Sequence, residues 1–445
     1  MAVCSAISSV IDTASKYEIP SICNVLANLC GSSQKEQPKC CNALGDMKSP
    51  QIKCTAGLHV LSEVDASRRM TKSVLRAGFQ KALFEKGAFL ANFIKEPRAL
   101  AAISPPEFES GFIAETNSNW ASTIGYRKKM GKTMDDAHLG RAFDFTAGGV
   151  VYKATLTGIF DGFGGPVVSR TIESKITPLL MRNLERFNQS TLSDKNIYNA
   201  LRQTMADIET YAQSNSDLAE AFKEVGSTLN IGVQIGQQLY TANLGDSRSI
   251  LVSIKNGTVS IRQLTEDQKV SADLKAIGQS ALNRDNENEL VTGYFERRVK
   301  KGGGTYRGNR VFTPWSKQKI MVTRAIGALN HKGALESLAK VGKVPLDPDA
   351  THIFMQGCDG LFDVANSEDY AQLHIELQNN PDFLDSGMTT SEAFVKNAYA
   401  LKSKDNLTSM VTLIKVSHDD VKIETDPIGV KQAQDYMDDL LKVKV

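Results

Sequence analysis

Apolar residues recur at near-helical spacing across residues 61–94, as at Leu75, Phe79 and Leu83, in text rich in Ala, Leu, Lys, Arg and Glu. That period predicts one or two amphipathic helices, because positions three and four apart share a helix face. Ser104-Pro105-Pro106 ends the pattern, since proline lacks a backbone N–H and disfavours helix at the residue before it. Beyond it, strand-like runs predominate to about residue 264, with one clear helix over residues 166–187. The runs LNIGVQIG, QLYTANLG, RSILVSI and TVSIRQL are divided by Gly-Gln, Gly-Asp and Asn256-Gly257, which predicts an antiparallel meander with a hairpin at the last turn. Helical spacing returns near residues 331–341 and 367–380, and a last strand pattern covers residues 409–416. After Pro427, Val430, Ala433, Met437 and Leu440 share one face among mixed charges. This is the pattern of a terminal helix docked on protein rather than on a membrane. Three segments result: a largely helical extension over residues 1–105, a main domain over 106–418 and a tail over 419–445.

Composition narrows the function classes. The 445 residues are 41% hydrophobic and 23% charged, values of a soluble globular protein with material for a large core. A net charge of +2 provides no general field for nucleic acid or a membrane surface, so neither is an expected partner. No apolar run is long enough to span a bilayer. The N-terminus lacks the basic start and compact apolar block of an export signal, so a cytoplasmic location is expected. Delivery into a host cell by a route without a cleavable signal peptide stays open. Six of the seven cysteines (Cys4, Cys23, Cys30, Cys40, Cys41 and Cys54) crowd the first 54 residues, with no Cys-x-x-Cys pair. Reduced thiols are the expected state, and a zinc module is disfavoured.

Chemistry enters at acidic turns that follow apolar strands. GIFDGFGG holds Asp161 and Gly162, and QGCDGLFD holds Asp359. Ser403-Lys404-Asp405-Asn406 precedes the strand LTSMVTLIKV, and KTMDDAHLG carries Asp135-Asp136. Any one of these reads as a turn or a helix cap. Four such groups at strand ends can instead converge into a cage of hard oxygen ligands, which suits magnesium or manganese better than zinc.

With MDDAH (134–138), FDGFGG (160–165), GSTLNIGV (226–233), ANLGDSR (242–248), ERRVKKGGG (296–304), VTRAIGA (322–328), CDGLFD (358–363) and KDNLTSMV (404–411), the sequence resembles the metal-dependent serine/threonine protein phosphatases of the type 2C class. The resemblance covers roughly residues 110–417. It implies an α+β fold of two stacked antiparallel β-sheets flanked by helices, with two Mg2+ or Mn2+ ions at one end. Carried over by motif, Asp161 bridges both ions, the Gly162 carbonyl serves one, and Asp359 and Asp405 complete the first site. Asp135 stands in the family's glutamate column at the second ion. Asp246 stands where some members hold a third ion, or ties adjacent loops structurally. The implied catalytic set is Asp161, Asp359 and Asp405, and the implied substrates are phosphorylated proteins.

Departures from the family bear on rate. Phe163 replaces the histidine of Asp-Gly-His-Gly-Gly that protonates the leaving oxygen, and Gly131 replaces the phosphate-binding arginine. Lys129, about 7 Å along the same strand face, is either a substitute phosphate contact or a solvated lysine. Ala328 replaces an aspartate, and residues 270–294 add polar text to the flap that borders the substrate groove. Two functions therefore compete: a Mg/Mn-dependent protein serine/threonine phosphatase, and a catalytically weak or inactive phosphatase-like binding or regulatory protein. A non-protein phosphate as substrate is a third reading. The extension over residues 1–105 is a candidate docking region for a protein partner.

Overall fold

A computed structural model describes residues 93–126, 133–270, 303–307, 310–316, 318–420 and 423. The 61–94 helical pattern, save its last two residues, and the tail helix lie outside the described residues, as do Lys129, Gly131 and nearly all of the 270–294 insertion.

Two antiparallel sheets form the centre. One comprises β1 (Glu109–Ile113), β2 (Ser118–Thr123), β9 (Arg248–Lys255), β10 (Thr258–Gln263), β15 (Thr351–Gly357) and β16 (Leu407–Ile414), in the order β1-β2-β16-β15-β9-β10. The other comprises β3 (Ala137–Ala147), β4 (Val150–Phe160), β7 (Leu229–Ile235), β8 (Gln238–Leu244) and β14 (Lys340–Pro345), in the order β14-β8-β7-β4-β3. A small sheet joins β5 (Gly162–Phe163), β6 (Gly226–Ser227) and β13 (Ile326–Gly327), and β11 (Thr305–Arg307) pairs with β12 (Arg310–Phe312). The expected α+β class of two sheets flanked by helices is what the chain adopts.

The helices sit outside the sheets because their apolar stripes need a partner surface. On α1 (Val167–Phe187), Val168, Ile172, Ile176, Leu180 and Leu184 recur every four residues, and all are buried against the β14-to-β3 sheet. Packed beside it, α2 (Asp194–Gln213) buries Ile197, Leu201, Met205 and Ile208, and Ser193 caps it by accepting from the Asn196 N–H. The sequence pattern indicated only the first of these two. On the other face lie α3 (Ser367–Gln378) and α4 (Thr390–Ala400), each begun by a reciprocal capping box, Asn366 with Asp369 and Thr389 with Glu392. Between the sheets, Leu239, Leu251, Val344, Leu346, Phe354 and Ile414 form a separate apolar layer.

Three expectations are corrected. The predicted meander is split: β8 belongs to one sheet and β9 to the other, and the chain crosses at Gly245-Asp246-Ser247. β8 is buried along nearly all of its length and β9 through a continuous central run, so alternation could not tell which sheet takes which strand. Residues 331–341 are not a helix: a short 3-10 turn, Leu329–His331, ends there, and Lys340 and Val341 open β14, where backbone pairing with β8 outweighs the helical spacing. The last strand spans Leu407–Ile414 instead of 409–416. The Asn256-Gly257 hairpin is as expected, with φ of +50° and +77°. Among the described residues, no helix is long and apolar enough to cross a membrane.

Candidate metal centre

The acidic turns meet at one end of the sandwich. Asp161 follows β4, Asp246 lies between β8 and β9, Asp359 follows β15 and Asp405 precedes β16. Carboxylate oxygens of Asp161, Asp246 and Asp359 all lie within 4.8 Å of one another.

Hydrogen bonds fix these loops. The Asp161 N–H donates to Thr228 Oγ1 (3.1 Å), and the Thr228 N–H donates to the Asp161 carbonyl (2.8 Å). Thr228 Oγ1 also lies 2.7 Å from Ser247 Oγ, which links the Asp161 turn to the Asp246 turn. Beneath them, buried Asn230 donates to the Ser247 carbonyl (3.1 Å), while Gln356 Nε2 donates to Asn230 Oδ1 (3.0 Å). This polar network joins both sheets under the centre. At Gly162, a Cβ would stand 2.2 Å from the Asp135 carbonyl oxygen, so the approach of the 135–136 segment requires a residue without a side chain.

Of the adjacent pair Asp135-Asp136, it is Asp136 that is brought into the cluster. Its carboxylate is buried and accepts from Thr408 Oγ1 (2.7 Å), while its second oxygen, Oδ1, is buried with no hydrogen-bond partner. Asp135 is half-buried, and its carboxylate accepts from Thr133 Oγ1 at 2.5 Å. The sequence reading named both acids and assigned the second ion to Asp135, with no separate role for Asp136. It also missed Lys269, whose ammonium stands 3.5 Å from Asp246, 3.7 Å from Asp359 and 3.1 Å from Asp363.

The electrostatics follow from burial. Desolvation, then Asp136, Asp359, Asp246 and Asp405, raise the Asp161 carboxyl well above its usual range, although part of the side chain reaches solvent. Burial pushes Asp136 and Asp246 up to about 6 each, with Lys269 partly offsetting the effect at Asp246. Asp359 is raised by burial and by Asp246, against the pull of Lys269. Burial opposes the charge on Lys269 itself, but Asp246, Asp359 and Asp363 outweigh it and raise its pKa. Such a group is strained without positive charge. Converging oxygens and an orphaned buried carboxylate atom fit a hard divalent cation.

Other candidates fall into place around this centre. Cys358 is fully buried, donates to the Asn406 carbonyl (3.2 Å) and has its thiol pushed up by burial, so it is an inert part of the core. His138 packs at a tilt against Trp120 with ring centroids 3.9 Å apart, and burial followed by Arg170 lowers it to about 4. A neutral imidazole of that kind does not replace the proton donor missing at Phe163.

The comparisons agree with this geometry. A family model described as Protein phosphatase 2C matches residues 122–274 and 296–407. The bovine (Bos taurus) "Integrin-linked kinase-associated serine/threonine phosphatase 2C" is 28% identical over 322 residues, covering 68% of this chain and 80% of its own length. "Probable protein phosphatase 2C 52" of Oryza sativa subsp. japonica is 24% identical over 279 residues, which is 63% of this chain and 48% of the relative. The chain thus spans about half the length of that relative. The solved serine-threonine phosphatase 2C from Toxoplasma gondii superposes with a TM-score of 0.50 at 16% identity, over 70% of this chain and 100% of the other, and so shares the fold. The family model takes in Asp136, Asp161, Asp246, Asp359 and Asp405 within its matched segments, and this chain belongs to the protein phosphatase 2C family.

Proposed function

We propose that this chain is a Mg2+- or Mn2+-dependent protein phosphatase, hydrolysing phosphoserine and phosphothreonine esters in proteins. The observation that carries the reading is the convergence of Asp161, Asp246 and Asp359 within 4.8 Å at one end of the sandwich. Asp161, Asp359 and Asp405 would hold a first ion, Asp161 would be shared with a second, and the Gly162 carbonyl would serve one of the two. Asp135 and Asp136 are the acids on that second side, and Asp246 borders the place for a third ion. Two such ions, when bound, supply an acidified water and neutralise charge on the phosphoryl oxygens. The chain's own part is to fix the Asp161 and Asp246 turns through Thr228 and Ser247 and the Asp136 carboxylate through Thr408, while the bound cations would offset the burial that raises Asp161 and Asp359. The cytoplasm as location, partner docking by residues 1–105 and phosphate contact by Lys129 belong to the same reading.

One observation favours the rival, a weak or inactive phosphatase-like regulator: Phe163 packs into an apolar cluster where the family places its proton donor. Turnover of an aryl phosphate with Mn2+, with chelator and in Asp359→Asn separates the two. Manganese-dependent hydrolysis lost in the variant supports the enzyme; its absence from the unaltered chain leaves the binding protein.

A further inference from the structure

The small β13-β6-β5 sheet carries a contact that cation binding does not explain. Phe163 pairs with Gly226, Gly226 pairs with Gly327, and Ala328 follows. A Cβ on Gly226 would stand 2.3 Å from the Phe163 ring atom Cζ and 3.1 Å from the Ala328 methyl, so ring and methyl share the place a side chain would take. The half-buried ring packs against the buried apolar cluster to which Ala328 belongs. Phe163 comes two residues after Asp161, so its backbone is within about 7 Å of the acidic centre. An apolar surface therefore stands beside the reacting position.

Nothing described nearby replaces the lost proton donor. His138 is packed against Trp120, and His331 is fully buried against Thr313. His352 bonds Ser253 and the Asp347 carbonyl, His374 bonds Thr390, and His418 pairs with Asp349. The remaining histidine of the chain, His59, lies outside the described residues. Among the described residues, no histidine is placed to give a proton to the leaving oxygen of an ester cleaved here. A phenol ionises near ~10 and leaves readily as its anion, whereas the alcohol of serine or threonine does not. An aromatic ring also gains edge or face contact with Phe163.

Building on the phosphatase reading, we propose that Phe163, backed by the fully buried Ala328, forms an apolar leaving-group seat, and that this site cleaves phosphotyrosine in peptides faster than phosphothreonine. Water gives one proton to solvent, and its oxygen forms a bond to phosphorus. The bond from phosphorus to the tyrosyl oxygen breaks, and that oxygen leaves with the electron pair as phenolate, then takes a proton from solvent. The products are tyrosine and inorganic phosphate, with no change of oxidation state.

The test uses the full chain with Mn2+ and two peptides that differ only in phosphotyrosine or phosphothreonine. Expected is a phosphotyrosine kcat/KM larger by about 10²-fold, the usual contribution of a positioned acid. The double variant Phe163→His with Ala328→Asp, checked for folding by thermal melting, is expected to close most of that gap by raising phosphothreonine turnover. Phe163→Leu, which keeps the surface apolar, is expected to keep the preference. Equal rates, or faster phosphothreonine cleavage by the unaltered chain, overturn this inference and leave the phosphatase reading intact. No manganese-dependent turnover of either peptide overturns both.

Discussion

Lys269 Nζ stands 3.5 Å from Asp246 Oδ2, an ammonium set into a nest of acids at the edge of the metal centre. Asp359 and Asp363 are its other neighbours, so one cation balances part of the charge of three carboxylates. Replacing Lys269 by Met removes that balance. The ion-free protein is expected to lose roughly 1–3 kcal/mol, because buried acids are left uncompensated. Mn2+ should bind about tenfold tighter, ~1.4 kcal/mol, as the local potential becomes more negative. Titration calorimetry and melts in chelator read both effects; weaker Mn2+ uptake by the variant would contradict the account.

Asp136 and Asp135 are separable by substitution. Asp136→Asn should lower Mn2+ affinity by about 10- to 100-fold, the range for groups that orient or complete a metal site. Asp135→Asn, whose carboxylate is engaged with Thr133, should change it less. The reverse order would place the functional acid at Asp135.

A pH dependence follows from the crowded carboxylates. Asp136 and Asp246 titrate near 6 in the folded chain, against about 3.9 when unfolded. Between those values the folded state holds more protons, so their contribution to ion-free stability is full below about pH 4 and is lost as pH rises through 6. The upper bound is roughly 3 kcal/mol per group. His138 and His374, both lowered to about 4, act oppositely, adding stability as pH rises toward the unfolded value. Comparing Mn2+ with chelator at each pH removes the histidine contribution. The gain in Tm on adding Mn2+ is expected to grow from pH 5 to pH 7.5; a gain that shrinks would refute the assignment.

Packing between the sheets has its own test at Gly232. A Cβ there would lie 2.3 Å from the Phe354 ring of the facing sheet. Gly232→Ala should therefore cost about 1–3 kcal/mol by overpacking, seen as a lower denaturation midpoint. An unchanged midpoint would mean that the layer yields freely.

Much of the centre was legible because Asp161 and Asp359 each stand in an Asp-Gly turn at the end of an apolar strand, a local signal. Choosing between Asp135 and Asp136 was not a local matter. Adjacent residues in extended chain point opposite ways, and the bond from Thr408 that selects Asp136 depends on how a strand some 270 residues later is placed. Lys269 was hidden for the same reason, since its partners come from two other loops. Helix α2 escaped notice because Ile, Tyr and Thr along it are weak helix formers, and packing against α1 and the sheet decides its conformation. The split meander shows that strand existence is written locally while sheet membership is a property of the whole core.

The donors of the centre come from both halves of the sandwich: Asp136 and Asp161 border strands of one sheet, while Asp359 and Asp405 border strands of the other. A divalent ion held among them would act as a rivet through the two layers, its binding energy becoming cohesion of the whole domain. Chelation would then loosen the protein globally, and a sliding of one layer over the other would silence the centre without touching a single acid.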